Sequence, residues 1–94
     1  MDKLNEESIA GWLEGHVGWN RAGNEIAKTF SFSSFRDSIV FVNRVATIAD
    51  DVDHHPDIDI RYNKVMLSVT THDAGGLTEN DFDLAQRVDF ATSR

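Results

Sequence analysis

DDVDHHPDIDIRYNKVMLSVTTHDAGGLTEND, residues 50–81, holds three of the chain's four histidines and its single proline. Inside it Ile58, Ile60 and Tyr62 alternate with polar residues, and past Asn63-Lys64 the alternation resumes at Val65, Leu67 and Val69. A period of two on either side of a short break is the pattern of a hairpin. With Asn63-Lys64 as its two-residue turn, Ile58 falls opposite Val69, Ile60 opposite Leu67 and His55 opposite His72. Ile58, Ile60, Tyr62, Val65, Leu67 and Val69 then build core. Asp57, Asp59, Arg61, Met66, Ser68 and Thr70 take the wet face, which also carries His55 and His72.

Upstream, Ser34 and Asp37 form a capping box, and Phe35, Ile39, Val42, Val45, Ala49 and Val52 keep a 3.6-residue rhythm for about five turns. The sequence predicts a central helix from Phe35 to about Asp53. Val40, Phe41 and Ile48 widen its apolar surface beyond what one sheet face requires, so a second subunit is expected to cover part of it. Asp50, Asp51 and Asp53 crowd its last turn, where the carbonyl dipoles already make the potential negative. Such a field favours a cationic imidazole on the neighbouring His54 and His55, which suits proton donation. Pro56 disfavours helical backbone at His55 and is expected to end the helix there.

Farther out, Asn5 caps a first helix that Gly15 closes, with Leu4 and Ile9 as a hydrophobic staple. Its Ile9, Trp12 and Leu13 are a packing stripe, and His16 beyond it stands apart from any second ligand-type residue. Val17 to Asn20 reads as a short strand, Ala22-Gly23-Asn24 as a turn, and Ile26 to Phe32 as a second strand, with Trp19 placed in the core. Asp73-Ala74-Gly75-Gly76 is a plain turn, because no Lys-Ser/Thr follows to complete a phosphate cradle. Thr78 and Asp81 form another capping box, stapled by Leu77 and Phe82, for a last helix through Val88. The order α-β-β-α-β-β-α implies an α+β fold: a four-stranded antiparallel sheet with three helices packed on one face, in a single domain over residues 1–94.

Composition removes several function classes. Cysteine is absent, so neither a disulfide framework nor a thiolate metal site is available. The longest purely apolar run covers residues 39–42, far short of a membrane span, and no export leader is evident, which predicts a cytoplasmic protein. Sixteen acidic against nine basic residues give a formal charge of -7, which disfavours direct contact with nucleic acid.

The spacing Asp50-x3-His54-His55-Pro56-x5-Tyr62-x9-His72-x8-Asp81 resembles that of the pterin-4a-carbinolamine dehydratases, and the resemblance runs from about Gly18 to the last helix. Asp50 stands where that family usually has Glu, and Ile58 where it often has Trp. The resemblance implies dehydration of 4a-hydroxytetrahydropterin to quinonoid dihydropterin, the recycling step after aromatic amino-acid hydroxylases, with neither metal nor other cofactor. It gives His54 and His72 the acid and base roles, and His55 the task of holding the pterin. Asp50 would orient an imidazole, and Pro56, Thr71 and Asp73 complete the substrate-binding set. It further implies a homo-oligomer, a dimer or dimer of dimers. The competing readings are a metal site at Asp50, His54, His55 and His72, disfavoured because adjacent histidines on an extended segment diverge, and a non-catalytic dimerisation or transcriptional cofactor module of the same fold.

Overall fold

The computed structural model describes residues 2–92. Its elements are α1 (Glu6–Glu14), β1 (Asn20–Ala22), β2 (Glu25–Ser31), α2 (Phe35–Val52), β3 (Asp57–Arg61), β4 (Lys64–Val69), a 3-10 turn (His72–Ala74) and α3 (Glu79–Thr92). The strands form one antiparallel sheet in the order β1-β2-β4-β3, so the two hairpins meet through their long strands. The α+β architecture follows the sequence reading. Ile26, Phe30, Val65, Leu67 and Val69 on one sheet face are buried with Ile9, Phe41, Val45, Ala49, Leu84 and Val88 from the helices. Each such large aliphatic side chain contributes roughly 1.5–3 kcal/mol on burial. Lys64 and Met66 on the opposite face are exposed. No helix among the described residues is long and apolar enough to cross a membrane.

The caps form as the sequence predicts. Asn5 Oδ1 accepts from Ser8 N at 2.8 Å, and Ser34 Oγ accepts from Asp37 N at 3.1 Å. Since Ser34 satisfies one of the free N–H groups that open α2, Ser34→Ala should lower stability by about 1 kcal/mol, read as a shifted urea midpoint with unchanged m-value.

Three local expectations are corrected. The turn of the second hairpin is Tyr62-Asn63, with Ile58 opposite Leu67, Ile60 opposite Val65 and Arg61 opposite Lys64. Tyr62 adopts a positive φ of 53°, and Asn63 clasps the end of β2: Phe32 N donates to Asn63 O at 2.8 Å and Asn63 Nδ2 to Phe32 O at 3.0 Å. Because pairing shifts by two residues, the inner and outer sets are preserved, except that Tyr62 leaves the core face for the turn. Likewise α2 ends at Val52 rather than at His55. Asp53 takes a left-handed conformation with φ 54°, and its N–H reaches the Ala49 and Asp50 carbonyls, so the helix is closed before Pro56 can act. The buried stripe of α2 is Ser38, Phe41, Val45 and Ala49, rotated from the expected one, since Phe41 turns onto Phe30 and Phe32 at ring distances of 4.7 and 5.0 Å. Phe35 and Val40 remain half exposed.

In the first hairpin the strand starts at Asn20 and Val17 is exposed, while Trp19 is buried as expected and donates from Nε1 to Asp89 Oδ2 at 2.8 Å. His16 is stacked on Trp12 with ring centroids 3.9 Å apart, a packing role.

Candidate active site

The left-handed cap at Asp53 throws the chain out of α2 and carries His54 towards the opening turn of α3. There its Nε2 lies 2.6 Å from Asp81 Oδ1. Asp81 is fully buried, and its other oxygen accepts from Thr78 N at 2.9 Å and from Thr71 Oγ1 at 2.8 Å. The Thr71 and Thr78 hydroxyls are 2.8 Å apart, and Asn80 N donates to Thr78 Oγ1 at 3.2 Å. One direction of donation satisfies every group: Asn80 N–H to Thr78, Thr78 O–H to Thr71, Thr71 O–H to Asp81. A carboxylate that accepts from all sides makes Nε2 of His54 a donor, which leaves Nδ1 as the nitrogen available for proton exchange.

His55, the next residue, points elsewhere. Its Nε2 lies 2.9 Å from Asp50 Oδ1, and both side chains are exposed. Adjacent histidines thus each hold a separate carboxylate, as expected of successive side chains on extended backbone. His72 opens the 3-10 turn and is exposed. The loop behind it is closed by the bridge of Thr71 to Gly76 and by Gly75 N donating to His72 O at 3.0 Å.

His54, His55, Thr70, Thr71, His72 and Asp73 line one recess of about 240 Å³. Five residues singled out from the sequence therefore share one hollow, and Asp50 reaches it through His55. Pro56 shapes the exit from the histidine pair and is not among the lining residues. With the corrected register His55 is no longer paired opposite His72, yet both still border the recess. Two larger hollows, about 420 and 380 Å³, lie along α2 and α3. Neither contains a histidine, so the smaller recess is where proton-transfer groups converge. Among the described residues no group of three or more His, Asp or Glu side chains is arranged to hold a metal ion.

Asp81 is the site residue that sequence reasoning left as a helix cap. The sign of more was its place at the end of the multi-point spacing, since a cap alone need not keep a fixed distance from a histidine pair.

An imidazole held by a buried carboxylate, facing a hollow with a second, solvent-accessible imidazole on its rim, defines a site for general acid-base chemistry on a small molecule. The comparisons specify the class: residues 2–91 match the family model for pterin 4 alpha carbinolamine dehydratase, and the chain belongs to that family. A protein of Roseiflexus sp. (strain RS-1), provisionally named pterin-4-alpha-carbinolamine dehydratase, is 55% identical over 87 residues, covering 93% of this chain and 94% of its own. A protein of Sulfurisphaera tokodaii with the same provisional name is 48% identical over 89 residues, covering 95% of this chain and 96% of its own. Among solved structures, a transcriptional coactivator/pterin dehydratase from Brucella melitensis superposes with a TM-score of 0.89 at 29% identity, over 94% of this chain and 96% of that one. A pterin dehydratase-like RuBisCO assembly factor of the alpha-carboxysome shares the fold, with a TM-score of 0.61 at 22% identity, over 76% of this chain and 82% of that one.

Proposed function

We propose that this protein dehydrates 4a-hydroxytetrahydropterin to quinonoid dihydropterin and water. The observation that carries the reading is the 2.6 Å contact of His54 with the buried Asp81, in a recess shared with His72. Water leaves C4a when its hydroxyl gains a proton and N5 loses one, so one acid and one base suffice. His54 serves as base: Nδ1 takes the N5 proton while Asp81, at the far nitrogen, stabilises the imidazolium that forms. His72 serves as acid, delivering a proton to the departing hydroxyl. Solvent returns both histidines to their starting states.

Asp50 and His55, with Pro56 and Asp73, hold the pterin. Thr71 contributes through its backbone and methyl group, because its hydroxyl is engaged with Asp81 and Thr78. The physiological setting is the recycling of tetrahydropterin after an aromatic amino-acid hydroxylase, in the cytoplasm, by a homo-oligomer. Decay of 4a-hydroxytetrahydropterin followed by stopped flow, with and without protein, tests the activity directly, and equal rates would end it.

This chemistry is carried by imidazoles alone. Prolonged chelation should leave the rate unchanged, whereas stoichiometric zinc and activity lost on chelation and regained with metal would replace the acid-base reading by a metal-centred one. The Brucella relative's designation as a coactivator supports a second, non-catalytic role in binding other proteins. With a formal charge of -7 such a role would run through protein contacts rather than through DNA.

A further inference from the structure

We propose that the open edge of β3 pairs with the same edge of a second copy of this chain, and that this pairing brings the second copy's Tyr62 to the histidine recess as an aromatic wall for the substrate. The identity of that substrate rests on the dehydratase reading; the pairing does not.

β3 is the last strand of the sheet, with β4 on one side only. Arg61 and Lys64 flank the two-residue turn, so an antiparallel ladder aims the backbone groups of Arg61, Asp59 and Asp57 at β4. Those of Ile58 and Ile60 then face outward. A two-fold contact that keeps isoleucines on the helix-covered side has three registers. Centring it on Ile58 sets Ile60 against Pro56, which has no N–H, and Asp57 against Asp59. Centring it on Ile60 sets Ile58 against Tyr62, whose φ of 53° lies outside strand conformation. Centring it on Asp59 pairs the whole strand: Ile58 meets Ile60 in two hydrogen-bonded pairs, and Asp57 meets Arg61 twice. The like-charged pair at the axis is screened, since Asp59 already accepts from its own Arg61 Nε at 3.0 Å. The edge is complementary to itself.

Such pairing also answers an exposure that the fold leaves open. Ile58 and Ile60 remain 38% and 36% exposed although they lie on the core side of the sheet. Beside them Tyr62 is 68% exposed. In the register centred on Asp59, the second copy's Tyr62 stands opposite Pro56, next to His55 and two residues from His54. The recess is lined by histidine, threonine and aspartate, and its 240 Å³ falls below the roughly 300–1,000 Å³ usual for small-molecule pockets. A flat bicyclic ring needs an aromatic face to stack on, and the second copy supplies one.

Charge reversal tests the pairing without substrate. Asp57→Arg and Arg61→Asp should each halve the mass that light scattering reports for the wild-type assembly, and the double variant should restore it. An unchanged mass in both single variants, or a double variant that stays dissociated while folded by circular dichroism, overturns the pairing. For the wall, Tyr62→Ala should weaken pterin binding roughly tenfold with a smaller change in kcat. Mixing it with His54→Ala protein and allowing subunits to exchange should regenerate tight sites, because each mixed pair unites an intact His54 with an intact Tyr62. No gain on mixing returns Tyr62 to its own chain and overturns the shared wall. If the masses obey the charge swaps but wild-type protein neither binds nor dehydrates the pterin, the dehydratase reading fails and the pairing stands.

Discussion

Asp81→Asn is expected to lower kcat by about 10³- to 10⁴-fold, the scale seen when a triad carboxylate is replaced by its amide. Three donors converge on this side chain: His54 Nε2, Thr71 Oγ1 and Thr78 N. Thr78 N can only donate, so the asparagine must keep its oxygen on that side and turn its NH₂ towards His54. The imidazole answers by moving its proton to Nδ1, and the nitrogen facing the substrate is no longer a base. Stability should fall as well, by about 1–3 kcal/mol, because a charged acceptor for buried donors becomes a neutral one. Steady-state kinetics with urea unfolding of the same variant checks both parts. A variant that loses stability and keeps its kcat would reduce Asp81 to a helix cap.

His54→Ala and His72→Ala should each lower dehydration by about 10²- to 10⁴-fold, typical of losing a general acid or base, with the circular dichroism of the folded chain retained. His54 is partly buried against Asp81, so its removal also leaves a carboxylate short of one donor, and a modest stability loss accompanies it. His72 is exposed, and its removal should leave stability unchanged. That contrast separates chemistry from packing. His55→Ala should raise KM more than it lowers kcat, because its partner is the exposed Asp50 and its role is to hold the ring. Full activity in either of the first two variants would remove that histidine from the reaction.

What the sequence made legible was whatever depends on near neighbours. Asn5, Ser34 and the Thr78–Asp81 box mark helix starts within three residues, and the period-two runs assign faces whatever the register. The register itself was not legible, since a slip of two residues preserves every face. It was chosen by Tyr62 entering left-handed backbone and by Asn63 binding the end of β2, a contact 31 residues away along the chain. The end of α2 was misplaced for a similar reason: Asp53, not glycine, takes the left-handed cap, and nothing in its side chain announces that. At the site, spacing and family pattern together pointed to the three histidines. The division of carboxylates, Asp50 to His55 and Asp81 to His54, depends on where α3 docks, which composition and periodicity do not encode.

One consequence of Asp81 reaches into folding. The same carboxylate that orients His54 also receives the N–H of Thr78 just ahead of α3, so the reactive nitrogen is aimed only after the C-terminal helix has settled against the sheet. A nascent or partly unravelled chain may hold all three histidines yet has no aligned base. Turnover then reports the integrity of a helix that touches the substrate nowhere, and during gradual heating catalysis should vanish with the docking of that helix, ahead of any loss of the central sheet.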